Sequence, residues 1–448
     1  MQFKQYPIYK NSGVEWLGDV PEHWESNRLK KYLIERNEKN SPIKTDNLLS
    51  VTMYQGVIPV SEKQGNGGNK PKENLENYKI SYPNDIVLNS MNVIVGSVGL
   101  NKYTGLISPA YYALYNRDKN NNIKFFSYIF HNPFFQKGLF GLGNGIMYKE
   151  SEDGKLNTIR LKIPMEKLNQ VVLPCPSISE QNQIVAFLDT ETARIDNLVA
   201  KQEKLIELLE EQRKSIISHA VTKGLNPNAL MKDSGVEWLG EVPENFNCIK
   251  LKQLAIGKLT YGANESADQE VKEHPRYIRI TDIKEDGTLH PETFKSLSPE
   301  TAEQYLLSNN DILFARSGAT VGKTFKYSDS WGVCCFAGYL IKISINAKIA
   351  NPDYIFYYLN SHAYWEYVSS NQSQSTIQNV SAEKYANFTI AVPKLAEQNA
   401  IVNYLNKETE RLNILIAKQK TLIEKLKEYR SSIISHAVTG KIDIREFC

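Results

Sequence analysis

The stretch EQNQIVAFLDTETARIDNLVAKQEKLIELL, residues 180 to 209, decides the fold because the chain contains it twice. Its second copy, EQNAIVNYLNKETERLNILIAKQKTLIEKL, occupies residues 397 to 426, an offset of 217 (397 − 180). Both copies run on into nearly identical endings, RKSIISHAVT at 213–222 and RSSIISHAVT at 430–439. A long segment repeated within one chain indicates that a structural unit has been duplicated.

A shorter repeat lies upstream of each long one. Residues 11–25 read NSGVEWLGDVPEHWE and residues 233–247 read DSGVEWLGEVPENFN, an offset of 222 (234 − 12). Between the repeated motifs only short echoes survive, such as NDIV at 84–87 and NDIL at 310–313, or Val-Gly at 95–96 and 321–322. A plain structural duplication would drift evenly, so this pattern predicts a shared frame that holds two divergent domains and reads two different things at a fixed separation.

The long repeats have the spacing of a coiled-coil helix, because apolar residues recur in steps of three and four. The predicted seam continues to His219 in the first copy and to His436 in the second. Gln202 and Gln419 are polar seam positions that can fix the register. The seam positions are Ile195, Leu198, Gln202, Leu205 and Leu209 in the first copy, and Leu412, Leu415, Gln419, Leu422 and Leu426 in the second.

The sequence predicts where the first long helix begins and where it ends. Ser177 and Glu180 have the spacing of a capping box, and Gly224 closes the far end. Each seam needs a partner, and we expect the two helices to pair antiparallel about a pseudo-twofold axis. The alternative is that each helix packs on its own globular domain.

The predicted fold class is α/β, a mixed α+β protein. Two globular domains are related by a pseudo-twofold axis and separated by a long antiparallel two-helix coiled coil. The predicted segments are an N-terminal motif at 1–25, a first domain at 26–175, a long helix at 176–222, a linker with the repeated motif at 223–247, a second domain at 248–393, a second long helix at 394–440 and a tail at 441–448.

The composition is that of a folded protein of more than one domain. The chain has 448 residues, 41% hydrophobic and 23% charged, with a net charge of +3 that fits a polyanionic partner without demanding one. No signal peptide or membrane span is apparent, so we expect a cytoplasmic protein without a membrane partner. Five cysteines without a CxxC pair indicate reduced thiols and no metal site.

Motifs for catalysis are missing from the sequence. SGATVGKT at 317–324 fails the GxxxxGK[ST] pattern by one residue and is read as a turn after a strand. The chain has no [DN]PP[YF] tetrapeptide, no HExxH, no nucleophile elbow and no paired-carboxylate nuclease motif. We therefore expect no catalytic residue and no cofactor in this chain.

Binding chemistry remains, in loops and strands that carry cations and amides. GNGGNKPKEN at 65–74 suits phosphate contact, HPRYIRI at 274–280 places two arginines on a strand, and NQSQSTIQN at 371–379 offers amides that can pair with adenine. The candidate DNA-binding residues are Lys63, Asn69, Lys70, Lys72, Asn92, Lys149, Arg276, Arg279, Arg316, Lys323, Gln372 and Gln374.

The repeated SGVEWLG-[DE]-VPE motif, the EQ-x-x-I helix start and the RxSIISHAVT ending resemble the conserved regions of type I restriction-modification specificity subunits, over essentially the whole chain. The resemblance implies two target recognition domains, each reading one half of a split double-stranded DNA site. It also implies two modification subunits that methylate adenine with S-adenosylmethionine, and motor-nuclease restriction subunits that use ATP and Mg. It implies no activity in this chain.

Three further interpretations stay open at this point. A fused enzyme would need catalytic motifs, and none is found in the sequence. A specificity subunit of a related restriction system could serve different partners, which the neighbouring genes would decide. A coiled-coil scaffold that does not bind DNA would carry the same repeats, and a salt-dependent DNA-binding assay separates it from a DNA reader.

Overall fold

The computed structural model describes residues 3–53, 55–63, 74–145, 162–266, 268–284, 287–371 and 379–446. The chain forms two compact units, unit 1 with residues 1–202 and 421–448, and unit 2 with residues 203–420. Each long helix therefore contributes one half to each unit, whereas the sequence suggested that each helix is a segment of its own.

Unit 1 is built on a four-stranded antiparallel sheet of order β4-β11-β8-β9, with short two-stranded pairs around it. Its strands are β1 (Tyr9–Asn11), β2 (Asp19–Pro21), β3 (Glu25–Arg28), β4 (Leu33–Arg36), β5 (Leu49–Thr52), β6 (Gly56–Pro59), β7 (Lys79–Ser81), β8 (Ile86–Asn89), β9 (Val98–Leu100), β10 (Gly105–Ile107), β11 (Tyr111–Asn116) and β12 (Val172–Cys175). The helices that begin in it are α1 (Leu29–Tyr32), α2 (Ile123–Phe130), α3 (Pro133–Gly138), α4 (Met165–Leu168) and the long α5 (Ile178–Lys223).

Unit 2 repeats this plan with a four-stranded sheet of order β16-β21-β18-β19, and adds one parallel pair, β17 with β20. Its strands are β13 (Met231–Asp233), β14 (Glu241–Pro243), β15 (Asn247–Lys250), β16 (Thr260–Tyr261), β17 (Arg276–Ile278), β18 (Ile312–Ala315), β19 (Thr324–Lys326), β20 (Cys334–Phe336), β21 (Leu340–Ile343) and β22 (Thr389–Val392). The helices that begin in it are α6 (Pro299–Ala302), α7 (Pro352–Tyr358), α8 (His362–Asn371), α9 (Ala382–Asn387) and the long α10 (Leu395–Val438).

The faint sequence echoes mark equivalent positions of the two sheets. Ile86 lies opposite Leu100 in unit 1, and Ile312 lies opposite Lys326 in unit 2, at the same offset of 226. The asparagines of the NDI echoes, Asn84 and Asn310, both adopt positive φ, 69° and 70°. The predicted mixed α/β class and the shared frame are therefore confirmed.

Each unit has its own large apolar core. In unit 1 this core joins the sheet to α2 and to the first half of α5, and includes Trp24, Phe125 and Ile184. In unit 2 the corresponding core includes Phe246, Tyr354 and Ile401, and two smaller cores lie beside it. No helix among the described residues has both the length and the apolar character needed to cross a bilayer.

The long helices run antiparallel. In unit 1 the guanidinium of Arg430 donates to the carboxylate of Asp196 at 2.8 and 3.3 Å. In unit 2 Arg213 donates to Asn413 Oδ1 at 2.7 Å. A step of 17 residues forward along α5 thus corresponds to 17 residues back along α10.

The buried seam differs from the predicted one at some positions of each long helix. Leu205 and Leu422 are 39% and 40% exposed, so the prediction is wrong for both, while Ile423 beside Leu422 is only 6% exposed. Likewise Ile416 is buried and Leu415 only partly so. The chain has adjacent apolar residues at these places, and burial favours the second of each pair, which keeps the period of seven residues. The remaining predicted positions have these exposures: Ile195 and Leu412 are buried, and Leu198, Gln202, Leu209, Gln419 and Leu426 are partly buried.

A buried glutamine at the start of α5 joins the helix to the globular part of unit 1. Gln181 Nε2 donates to the carbonyl of Pro176 at 2.9 Å, and its Oε1 accepts from the backbone N–H of Asn122 at 2.8 Å. The Asn122 amide also donates to Asn182 Oδ1 at 2.8 Å. Because Asn122 is the N-cap of α2, this joint fixes two helices together.

The start of α10 has the same joint in unit 2. Gln398 Nε2 donates to Pro393 O at 2.9 Å, and its Oε1 accepts from the backbone N–H of Asn351, the N-cap of α7, at 2.8 Å. The Asn351 amide donates to Asn399 Oδ1 at 2.8 Å. The repeated Glu-Gln-Asn motif is thus a structural joint, which explains why both halves keep it.

The shorter repeat forms a hairpin in each unit. In unit 1 Gly13 and Gly18 adopt positive φ in the turn between β1 and β2, and Trp16 packs on Phe135 with ring centroids 4.9 Å apart. In unit 2 Trp238 packs on Tyr367 at 4.8 Å. These contacts hold the hairpins on the domains, so the repeated residues belong to the frame.

Only half of the expected capping box at the start of α5 forms. Ser177 Oγ accepts from the backbone N–H of Glu180 at 3.3 Å. The Glu180 carboxylate instead accepts from Tyr6 Oη at 2.5 Å and Trp24 Nε1 at 3.0 Å, within unit 1.

Candidate nucleic-acid interface

Arg279, a sequence candidate, is fully engaged inside unit 2. Its guanidinium forms two hydrogen bonds with the buried carboxylate of Asp282, at 3.0 and 2.7 Å, and a third with Thr293 O at 3.0 Å. The hydrogen bonds with Asp282 raise the pKa of Arg279 above its usual value. We therefore assign Arg279 to the structure of this turn and not to a free cationic surface.

Arg276 is partly engaged. Its Nη2 donates to the carbonyl of His290 at 2.6 Å, and its guanidinium lies over the ring of Phe294 at 5.7 Å. Its buried Nε has no hydrogen-bond partner among the described residues. The side chain thus retains donor capacity.

Arg316 is oriented by an aromatic ring and has weak polar partners. Its guanidinium lies 4.9 Å from the ring centre of Tyr261, and Nη1 is 3.4 Å from Gly338 O, at the long limit of a hydrogen bond. The buried Nε has no partner in the part of the chain that the structure describes. Arg316 is a held but largely unsatisfied donor.

The turn predicted for SGATVGKT is present between β18 and β19. Residues Gly318–Thr320 form a single 3-10 turn with Gly318 at φ 76°. A phosphate-binding loop must be followed by a helix, whereas this turn is followed by strand β19. Lys323, which follows this turn, is exposed and lines a groove of unit 2. Unit 1 has the equivalent turn at Val93–Val95, where Asn92 is exposed.

The other sequence candidates lie apart from these. Lys63 follows the 3-10 turn Val60–Glu62 in unit 1 and is half-buried. Asn69, Lys70, Lys72, Lys149, Gln372 and Gln374 fall outside the described residues. The structure brings Lys323 to a groove with other cations, and it does not bring Arg276 or Arg279 there.

This groove of unit 2 has a volume of about 1280 Å³ and lies between the second half of α5 and the globular part of unit 2. Its walls are held together by hydrogen bonds, since Tyr354 Oη donates to Val221 O at 2.9 Å and the backbone N–H of His362 donates to Ser218 Oγ at 3.2 Å. Leu313 and Leu340 form part of an apolar floor. The groove therefore has fixed walls within one unit.

The rim of the groove is strongly basic. Its charged lining residues are one carboxylate, Glu211, and five cations: Arg213, Lys214, Lys223, Lys284 and Lys323. Lys214 and Lys323 are exposed, whereas Arg213 is bound to Asn413 and Lys223 donates to the carbonyl of Glu241. An excess of cations in a concave surface attracts a polyanion and suits the phosphates of a nucleic acid.

The sequence alone does not single out Arg213, Lys214, Lys223 or Lys284. Its helical spacing predicts a seam along α5, and the groove residues 214, 284 and 323 are far apart in the chain. A signal was nevertheless available inside the repeat. At the offset of 217, Lys214 corresponds to Ser431 and Lys223 corresponds to Gly440. Differences within an otherwise conserved motif mark places where the two helices serve different surroundings.

Comparison with known proteins gives a consistent result. Residues 243–425 match the family model described as "Type I restriction modification DNA specificity domain". A putative type I restriction enzyme MjaX specificity subunit from Methanocaldococcus jannaschii is 24% identical over 462 aligned residues, covering 99% of each chain.

Two solved structures share the fold. A chain from a study of complex assembly and conformational transition of the type I R-M system covers 94% of this chain and 99% of its own length, with 15% identity and a TM-score of 0.70. The HsdS subunit from Thermoanaerobacter tengcongensis covers 94% of this chain and 98% of its own length, with 15% identity and a TM-score of 0.52.

Proposed function

We propose that this chain, which belongs to the type I restriction-modification specificity subunits, reads a bipartite double-stranded DNA site with one half-site for each unit. In this proposal the repeated elements position the two domains, and the divergent side chains of each domain contact the bases of its half-site. Methylation of adenine and ATP-dependent restriction are the work of partner subunits.

The observation that carries the proposal is that equivalent backbone positions hold different side chains. The carbonyl of residue 90 in unit 1 accepts from the backbone N–H of Ile163 at 3.0 Å, and the carbonyl of residue 316 in unit 2 accepts from Val380 at 2.9 Å. The side chains at these two places are a serine and an arginine. A pair of domains that keeps its backbone contacts and varies its surface groups suits the reading of two different sequences.

The basic groove supports the same proposal. Contacts to phosphates place a protein on the duplex, and contacts to base edges give the sequence preference. Lys214, Lys284 and Lys323 can supply the first kind of contact. The turn that carries Arg316 directly precedes Lys323 and can supply the second.

The partners in this proposal are two modification subunits and the motor-nuclease restriction subunits. S-adenosylmethionine is bound by the modification subunits, and ATP and Mg are used by the restriction subunits. This chain contributes recognition and no chemical step.

The test is to express the chain with its modification subunits and to determine the methylated adenines by single-molecule sequencing. We expect one bipartite motif, with two specified halves and an unspecified spacer. Binding of the purified complex to a duplex with that motif should be tighter, typically by roughly 10³–10⁷-fold, than binding to a scrambled duplex.

A single contiguous motif would contradict the assignment of one half-site to each unit. Equal binding of both duplexes at every salt concentration would contradict DNA reading altogether.

A further inference from the structure

We propose that Arg316, Tyr339 and Asn379 form a base-reading centre of unit 2, in which Arg316 recognises a guanine in the major groove. This inference rests on the proposed function, and it names the residues and the base that the proposed function leaves open. The centre consists of a cation, an exposed aromatic ring and an amide on three neighbouring backbone segments.

Arg316 differs from Arg36 and Arg279 in the hydrogen-bond donors that its guanidinium leaves free. Arg36 in unit 1 forms two hydrogen bonds with Asp85, at 2.9 and 3.1 Å, and lies between the rings of Tyr82 and Tyr115. Arg316 has an aromatic contact but no carboxylate partner among the described residues. A guanidinium without a carboxylate partner keeps its donors available for an acceptor pair such as guanine O6 and N7.

The aromatic contact also fixes the direction of Arg316. The hydroxyl of Tyr261 accepts from the backbone N–H of Ala382 at 3.0 Å, so the ring is held from its far end. The guanidinium lies over this held ring. A donor that is oriented before binding loses less conformational freedom when it meets its base.

Tyr339 is presented beside Arg316 by a rigid loop. Its carbonyl accepts from the backbone N–H of Arg316 at 3.1 Å, and its side chain is 66% exposed. The preceding Gly338 donates to Ala263 O at 2.7 Å, and a Cβ at Gly338 would collide with the side chain of Asn264. The two backbone hydrogen bonds, to Arg316 and to Ala263, anchor the loop that carries the exposed ring.

Asn379 completes the centre from a third segment. It forms a bridge with Ser317, the residue after Arg316, and Val380 donates to the carbonyl of Arg316. The buried Oδ1 of Asn379 has no hydrogen-bond partner among the described residues. An unsatisfied buried amide oxygen is costly, and this cost is removed when the side chain turns outward and accepts from a donor of the ligand. Adenine offers a donor and an acceptor in the major groove that match an asparagine amide.

The same three backbone places in unit 1 hold different groups. Residue 316 corresponds to Ser90, residue 339 to Ala110 and residue 379 to Lys162, by the matching strand registers and by the bond from Ile163 to Ser90. Ser90 is buried and its hydroxyl donates to Ala110 O at 2.7 Å, whereas Lys162 is exposed. The two units therefore share the backbone hydrogen bonds at this place and differ in all three side chains.

The test compares two variants that each lose one positive charge, Arg316→Gln and Lys323→Gln, in the complex with its modification subunits. Relative affinities are measured for duplexes that carry each of the four base pairs at every position of the half-site read by unit 2. That half-site is identified by exchanging residues 26–175, which leaves it unchanged. Thermal denaturation of both complexes confirms that the variants are folded.

Arg316→Gln should reduce discrimination at one guanine position by roughly 5- to 150-fold and leave the other positions unchanged. Lys323→Gln should weaken binding to all sequences alike and reduce the slope of log affinity against log salt by about 0.9. Asn379→Ala should relax discrimination at an adenine next to that guanine.

Two results would overturn this inference. One is a unit 2 half-site without guanine in the wild-type complex, and the other is a uniform loss of affinity in Arg316→Gln with an unaltered motif. In either case a bipartite wild-type motif would leave the proposed function standing.

Discussion

The residue that follows strand β8 in unit 1 is Ser90, and the residue that follows the equivalent strand β18 in unit 2 is Arg316; the carbonyl of each accepts the same backbone hydrogen bond, from Ile163 or from Val380. In unit 1 the serine hydroxyl is used within the domain, and in unit 2 the arginine faces an aromatic ring without a carboxylate partner among the described residues. The two units thus keep the same backbone hydrogen bonds at this place and differ in the side chains that the backbone carries. The backbone repeats because it is the frame, and the side chains differ because they meet different partners.

The cations of the two units are also placed differently. Unit 2 gathers its cations in the groove beside α5. Unit 1 has a smaller basic depression of about 590 Å³ at β3 and α1, lined by Arg28, Lys30, Lys31 and Arg117. Only Lys31 among these four has a carboxylate nearby, Glu25 at 3.4 Å, within the described part of the chain. The two basic surfaces thus use different elements of the two units, and in unit 2 three of the five groove cations lie on α5.

The largest expected effect comes from breaking the glutamine joint, of which each unit has its own copy. Replacement of the buried Gln398 by Ala removes the partners of Asn351 N and Pro393 O, and should destabilise unit 2 by about 3–4 kcal/mol. Gln181→Ala should have the same effect on unit 1. Hydrogen exchange read by mass spectrometry should localise each loss to one unit, and exposed Asn399→Ala, which loses one bond, is the control.

A loss of protection that is smaller in Gln398→Ala than in Asn399→Ala would contradict the assignment of the glutamine as the joint.

The next effect sharpens the position of the seam on α10. Ile423→Ala should cost about 3 kcal/mol, because the side chain is 6% exposed and its removal leaves a cavity. Leu422→Ala, on the neighbouring and 40% exposed side chain, should cost less than about 1 kcal/mol. Urea denaturation of the two variants measures the difference. A larger cost for Leu422→Ala would restore the seam expected from the sequence.

The third effect is the acid sensitivity that His131 adds to unit 1. Burial of His131, with a smaller contribution from Arg430, lowers the pKa of His131 from 6.5 to about 4. The folded state binds a proton less readily than the unfolded chain, so stability is complete above pH 6.5 and falls as the pH drops toward 4. From pH 6.5 to 4.5 the loss should be about 2 kcal/mol.

Unit 2 provides the matched control for this acid sensitivity. The equivalent residue is Asn360, at the offset of 229 that also relates Asn122 to Asn351. His131→Asn should therefore flatten the pH dependence of hydrogen exchange in unit 1 and leave that of unit 2 unchanged. An unchanged pH profile in the variant would assign the acid sensitivity to other groups.

The smallest effect concerns a single cation of the groove. Lys214→Ser introduces the residue found at position 431 of the other helix. If Lys214 contacts a phosphate, the salt slope of DNA binding should fall by about 0.9 with the methylated motif unchanged. The matched change on the other helix, Ser431→Ala, should leave the slope as it is. An equal slope for wild type and Lys214→Ser would remove Lys214 from the interface.

The sequence predicts the frame well because the frame is written twice. The repeats predict the mixed α/β class, the long helices and the turn after β18, since apolar spacing and glycine have local physical causes. The sequence does not predict which of two neighbouring apolar residues lies in the seam. Leu422 and Ile423 are both apolar, and only their burial in the folded chain distinguishes them.

The candidate site was harder to predict for a different reason. An arginine directly after a strand has the same sequence signature whether it pairs with a carboxylate, as Arg279 does with Asp282, or has no carboxylate partner among the described residues, as with Arg316. The groove joins residues of α5 to residues between Ile280 and Asn413, far away in the chain, and no local sequence pattern predicts such a contact. Bases and phosphates are read by surfaces that only the folded chain assembles.

The measurement that tests the central claim most directly is the methylated motif after exchange of one domain. Residues 26–175 are replaced by the corresponding domain of a specificity subunit with a different motif, and methylated adenines are mapped by single-molecule sequencing in cells that also express the modification subunits. Separate readers on a shared frame predict that one half of the motif changes and the other half, with its guanine, remains. A change in both halves, or in neither, would contradict the claim that frame and readers are independent.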